Sequence, residues 1–176
     1  MTTYAAFLRG INVGGNKSVP MAKLRELAEG LGYRDVATYI NSGNLVLTAS
    51  KKPATLEKEL SQAIQTNLGF GVDVCVRSLA QLKKILAANP YPVGDASKVT
   101  VAFLASKPPA GVEARLASMA AEHEPFTVAG TEVYVHYGNG LGKSALAEKF
   151  AKLVGVSATV RNVRTIEKVI ALASRS

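Results

Sequence analysis

The sequence has no tryptophan, one cysteine at position 75, and only 6% aromatic residues. A single thiol cannot close an internal disulfide, which fits a reducing compartment. Charged residues are also scarce, at 19% against 48% hydrophobic, and that balance excludes an intrinsically disordered chain. No apolar run approaches the roughly 20 residues of a membrane-spanning helix. The apolar start from Tyr4 is broken at Arg9 and has no basic stretch before it, unlike a secretory signal. A cytoplasmic protein with no membrane partner is therefore expected. The 176 residues suffice for one large core or two small ones. Twenty-one Lys and Arg exceed thirteen Asp and Glu, a net +8. The excess is spread as +5 over residues 1–92 and +3 over the remainder, which favours anionic partners without naming one.

Hydrophobic periodicity divides the chain into two units of the same order. Tyr4 to Leu8 reads as an apolar strand, and Met21, Leu24, Leu27, Ala28 and Leu31 as a helix face stopped by Gly32. Val36 to Ile40 and Leu45 to Thr48 read as strands joined at the turn formers Asn41-Ser42-Gly43-Asn44. Leu56, Leu60, Ala63, Ile64 and Leu68 mark a second helix that ends at Gly69, and Val72, Val74 and Val76 alternate as an edge strand. An extra helix follows, opened by Ser78 with Gln81 three residues on, the pattern of a capping box. After a turn-rich stretch, Asn89 to Asp95, the order returns. It comprises strand Val99–Ala105, helix Val112–Ala121, hairpin Phe126–Val128 with Val133–Tyr137, the helix of Leu146, Phe150 and Leu153, strand Thr159–Arg161, and a last helix from Val163.

Val76-Arg77-Ser78 with its following helix aligns without gaps on Val160-Arg161-Asn162 with its own, so Arg77 matches Arg161 and Ser78 matches Asn162 as a cap. The expectation is an α+β fold: an internal duplication of two ferredoxin-like (α-β plait) subdomains, each strand-helix-strand-strand-helix-strand plus an extra helix. Subdomains 1–90 and 96–176 are expected, with 91–95 as linker. The central strands are apolar without alternation, which calls for sheets covered on both faces. That argues against an open sheet displaying aromatics to RNA.

The connection from Arg9 to Pro20 is about twice as long as its counterpart, Ala105 to Ala110, and a crossover requires only a few residues. Gly14 and Gly15 free the backbone to turn amide groups toward a guest, and Arg9 and Lys17 add positive charge. This is the chemistry of an anion cradle. The same residue types also make a surface loop whose glycines only avoid strain. Asn12, Asn41, Ser42 and Asn44 join the candidate ligand-binding set by their polarity.

A second glycine-rich stretch, Gly138-Asn139-Gly140-Leu141-Gly142-Lys143-Ser144, opens the helix of Leu146. It is not a P-loop, because Tyr137 stands where that pattern requires glycine. Lys143 and Ser144 remain candidates for holding a phosphate or carboxylate, and Ser144 is equally a helix cap. His136 lies two residues before this stretch and reads first as a half-exposed strand residue. His123, His136 and Cys75 lack metal-ligand spacing, so no metal is expected. Cys75 reads as a packed thiol. Asp73 and Asp95 show no sequence-level partner.

Phe7-Leu8-Arg9-Gly10-Ile11-Asn12-Val13-Gly14-Gly15, Pro20-Met21, Tyr39-Ile40-Asn41-Ser42-Gly43-Asn44 and Asn89-Pro90-Tyr91-Pro92 resemble domain-of-unknown-function family 1697. So do Gly138 to Ser144 and Thr159-Val160-Arg161-Asn162 with Thr165. Where that family usually has Trp after the Arg-Asn pair, this chain has Val163. The resemblance implies a bacterial-type cytoplasmic protein of two plait-like subdomains and carries no reaction or cofactor with it. Three functions remain open at this point. The first is binding of, or catalysis on, a small anionic molecule at the 9–20 loop. The second is a nucleic-acid-binding accessory protein with a diffuse basic surface, and the third is a non-catalytic interaction module.

Overall fold

A computed structural model describes residues 1–175. The chain is a mixed α+β protein with two four-stranded antiparallel sheets. Its described residues separate into two compact units, residues 1–84 with 167–175, and residues 85–166.

The first unit contains β1 (Thr2–Leu8), α1 (Met21–Gly30), β2 (Arg34–Tyr39), β3 (Asn44–Ala49), α2 (Pro53–Leu68) and β4 (Val74–Ser78). Its strand order is β2-β3-β1-β4, which puts β4 on an edge. The α2 helix starts at Pro53, before the first apolar position of its face, because proline suits the first helical turn. It ends at Gly69, whose φ of 82° supplies the left-handed cap. Strand β4 begins later than the alternation predicts; Val72 is buried ahead of it rather than paired within it.

Leu24 and Ala28 of α1 and Leu56, Leu60 and Ile64 of α2 pack on the β1 face that carries Tyr4, Ala6 and Leu8. Ala5 and Phe7, on the opposite face, are buried as completely. The unalternating apolar run thus marks a strand with no solvated face. At the margin of this unit the Tyr33 hydroxyl donates to Glu59, and the Lys51 ammonium donates to the same carboxylate at 2.8 Å. Those two bonds, from Lys51 first and Tyr33 second, hold the Glu59 carboxyl below its ordinary range. Burial first, and then Glu59, pushes the Tyr33 phenol up.

The second unit contains β5 (Val99–Leu104), α4 (Val112–Ala117), β6 (Phe126–Ala129), β7 (Glu132–His136), α5 (Ala145–Val154) and β8 (Ala158–Asn162), in sheet order β6-β7-β5-β8. Two further helices, α3 (Leu79–Ala87) and α6 (Val163–Ala173), follow β4 and β8, and each runs across a boundary between the compact units. Val112 and Leu116 of α4 and Leu146, Phe150 and Val154 of α5 pack with Ala102 and Leu104 of β5. The α4 helix is shorter than its periodicity predicts. Ser118 Oγ donates to Arg115 O at 2.6 Å and the Glu124 carboxylate takes the Ala121 N–H at 3.1 Å, so the chain leaves the helix as a turn.

The helix starts at α3 and α6 match one another, as the aligned fragments predict. Ser78 and Gln81 form the reciprocal capping box, with bonds of 2.8 and 3.2 Å. Asn162 Oδ1 takes the Thr165 N–H at 2.9 Å. Arg77 and Arg161 both curl back so that Nη1 donates to the carbonyl of the preceding residue, at 3.0 and 2.9 Å.

Candidate functional site

Antiparallel pairing decides what gathers at one end of the first sheet. Phe7 lies opposite Asn44, and Leu8 opposite Val74. The exit of β1, the β2–β3 turn and the entry to β4 therefore meet at that end. The Leu8 N–H donates to Gly43 O at 2.8 Å and the Arg9 N–H to Asp73 O at 3.0 Å.

The long connection after β1 is a small hairpin. The Asn12 N–H donates to Lys17 O at 3.1 Å, and the Asn16 N–H to Val13 O at 3.4 Å. At its tip Gly14 and Gly15 both have positive φ, 64° and 76°, the sign combination of a type I′ turn. A Cβ on either would meet nothing within 4 Å, so the backbone conformation, and not crowding, requires glycine there. The base of the hairpin is anchored by Ile11 and Val19, both buried in the α1–α2 core.

Asn12 fastens this hairpin to the neighbouring turn. Its Nδ2 donates to Val19 O at 2.9 Å and to Asn41 O at 2.7 Å, while its Oδ1 takes the Val19 N–H at 2.8 Å. The 9–20 segment and the 41–44 turn thus converge, and the Asn12 side chain is the clasp. Asn44 is fully buried, and its Nδ2 donates to Tyr39 O and Ser42 Oγ at 2.9 and 3.0 Å. Asn12, Asn44 and Ser42 are therefore occupied in holding the turns together. Gly43 sits beneath the hairpin; a Cβ there would stand 2.7 Å from Ile11 Cδ1 and 2.8 Å from Leu8 Cβ.

The two cations of the 9–20 segment, Arg9 and Lys17, line one depression of about 370 Å³ together with Gly10, Gly71 and Asp73. Arg9 Nη1 lies 3.4 Å from Asp73 Oδ2, with the two side chains 40% and 62% exposed. Lys17 Nζ donates to Gly71 O at 2.9 Å. Asp73, which has no recognisable partner in the sequence, is thus paired with Arg9. Gly71 and Asp73 were not among the sequence candidates. The signal that finds them is register: whatever precedes an edge strand paired to β1 stands beside whatever follows β1.

Lys143 and Ser144 belong to the second unit. Leu141 to Lys143 form one turn of 3-10 helix, and Ser144 Oγ takes the Ala147 N–H at 3.0 Å as the cap of α5. Lys143 is exposed and lines a depression with His123 and Asn139, whose Nε2 and Nδ2 atoms, respectively, are 3.0 Å apart. His136 is half-buried and stacks on Tyr91 with ring centroids 6.4 Å apart. Asp95 also has a partner, Arg164 Nη2 at 3.5 Å. Among the described residues no group of three or more His, Cys, Asp and Glu is placed to hold a metal ion. Nor is any helix long and apolar enough to cross a membrane.

The family profile for "Protein of unknown function (DUF1697)" matches residues 1–134 of the chain. That stretch contains the hairpin, the β2–β3 turn and the depression. A solved structure, that of the conserved bacterial protein SP0830 from Streptococcus pneumoniae, is similar over 98% of this chain and 98% of its own. Its sequence identity is 25% and its TM-score 0.71. No curated protein matches the sequence.

Proposed function

The chain belongs to the DUF1697 family, and from its residues we propose that it binds a small phosphate- or carboxylate-bearing molecule at the hairpin spanning residues 9–20. One observation carries this reading: Arg9 and Lys17 converge on a single depression that Gly10 also lines. Arginine holds five N–H donors in a fork and lysine three. Arg9 Nη1 meets the Asp73 carboxylate and Lys17 Nζ meets Gly71 O, both in exposed contacts. An exposed ion pair like Arg9–Asp73 contributes roughly 0–1 kcal/mol, so an incoming anion re-aims the guanidinium at little cost. The clasp at Asn12 and the buried Ile11 and Val19 keep the hairpin formed before a ligand arrives, which lowers the ordering cost of binding.

The same proposal takes the chain as a duplicated ferredoxin-like unit, with repeats 1–90 and 96–176 joined at 91–95, acting in the cytoplasm. The matching strand orders, the paired helix caps and the paired arginines support the duplication. The binding test is a thermal-shift screen of inorganic phosphate, pyrophosphate, nucleotides and phosphorylated or carboxylated metabolites on wild type and Arg9→Ala. A charge-assisted hydrogen bond is worth about 1.5–3 kcal/mol, so the variant loses about one to two decades of affinity. Failure of every compound to stabilise the wild type would remove the proposal.

A further inference from the structure

We infer that the second unit carries a separate binding site, a depression bounded by Lys98, His123, Glu124, Asn139 and Lys143, for a small molecule bearing a phosphate or carboxylate beside an amine or hydroxyl. The depression measures about 590 Å³, and Met119 is among the residues that line it. That is within the range of small-molecule sites, about 300–1,000 Å³.

The lining is assembled from three separate segments that hold one another in place. The Tyr137 N–H donates to Lys98 O at 2.8 Å, and the Gly138 N–H to His123 O at 3.3 Å. Lys98 Nζ donates to Gly138 O at 3.1 Å, using one of the three donors of the ammonium. Gly138 makes this meeting possible, since a Cβ there would lie 2.9 Å from His123 O. The close approach brings Asn139 Nδ2 within 3.0 Å of His123 Nε2. With the amide donating, Nε2 accepts, and the ring keeps Nδ1–H as a donor while Asn139 Oδ1 remains an acceptor.

The lining carries both signs of charge. Lys98 and Lys143 supply ammonium groups, and Lys143 is exposed. Glu124 is a carboxylate only 4% exposed, held by the Ala121 N–H at 3.1 Å. A buried carboxylate favours a donor beside it. A ligand with an anionic end for the lysines and an amine or hydroxyl for Glu124 and Asn139 answers both requirements. None of these residues lies in the hairpin of the first unit, so this site stands or falls independently of that one.

The chain has two histidines, which makes the His123 ring a readable reporter once His136→Gln has assigned the two signals. At constant pH the full chain is titrated with O-phosphoethanolamine while the imidazole proton signals are followed by NMR. The expected result is a saturable shift of the His123 signal, about tenfold or more weaker in Lys143→Ala, and unchanged in Arg9→Ala. Ethanolamine and inorganic phosphate are each expected to bind more weakly than the compound that joins them. The inference is overturned if His123 does not move at millimolar O-phosphoethanolamine, or if Lys143→Ala responds like wild type. Inorganic phosphate alone binding as tightly would overturn the two-ended ligand. Lys143 is exposed, so its replacement leaves the fold intact. Loss of binding in Arg9→Ala with Lys143→Ala unaffected would transfer the response to the hairpin and refute this site.

Discussion

The connection that follows β1 and the one that follows β5 leave equivalent strands of two sheets with the same order, yet they are built differently. After β5 the chain reaches α4 through Ala105 to Gly111, a short link with Pro108 and Pro109 in it. After β1 it makes a hairpin with its own tip turn, two core anchors and a clasp to the adjacent turn. The short form shows what a crossover of this kind requires. The additional residues of the long form are therefore not slack, and they bring two cations, Arg9 and Lys17, to one depression. A surface loop whose glycines only avoid strain would not need Ile11 and Val19 in the core.

The largest expected effect separates the two strand-to-strand turns. In Gly43→Ala the new Cβ collides with Ile11 and Leu8 at a φ of 86°, whereas at Gly130 it meets nothing within 4 Å at a φ of 65°. Overpacking together with backbone strain costs about 3 kcal/mol or more at position 43. Strain alone costs roughly 1–2 kcal/mol at position 130. Urea unfolding of the two variants reads the difference; equal losses would mean the hairpin does not press on the β2–β3 turn.

Next is the clasp. Asn12→Ala removes three hydrogen bonds and strands the N–H of the buried Val19, an expected loss of about 1–3 kcal/mol in the same measurement. Ser144→Ala, which deletes the α5 cap in the second unit, costs about 1 kcal/mol. It should leave the hairpin unaffected, so amide exchange at Asn12 and Asn16 stays at its wild-type rate.

A smaller effect depends on pH and belongs to the first unit. The Glu59 carboxyl is held below its ordinary range by Lys51 and Tyr33. Its contribution is therefore present above the unfolded-state carboxylate pKa and is lost as pH falls through the lower folded value. Wild type should lose stability over that acid window, and Glu59→Gln should lose less, beginning from a lower value at neutral pH. Identical acid limbs for the two proteins would show that Glu59 contributes nothing.

Much of this architecture is legible in the sequence because it depends on local rules. The capping pair at Ser78 and Gln81, the cap at Asn162, the stop at Gly69 and the unalternating β1 each follow from residue type and spacing. The length of α4 is not legible, because it is ended by Ser118 and Glu124 acting on backbone groups beyond the apolar face. The candidate site divides in the same way. Arg9 and Lys17 stand out as charges in a loop with too many residues, but their neighbours Gly71 and Asp73 come from another strand through pairing register. Asn12 and Asn44 look like ligand donors in the sequence; their side chains hold the turns instead.

The central claim is that the hairpin is a formed cradle whose cations serve a ligand and not the fold. It is tested most directly by comparing wild type with Arg9→Ala and Lys17→Ala by calorimetric unfolding, with and without pyrophosphate. The Arg9–Asp73 and Lys17–Gly71 contacts are both exposed. The account therefore predicts unliganded melting temperatures within about 2 °C of wild type, with pyrophosphate raising the wild type more than either variant at the same concentration. Variants that melt well below wild type without ligand, together with a wild type that pyrophosphate leaves unchanged, would show Arg9 and Lys17 to be structural struts and contradict it.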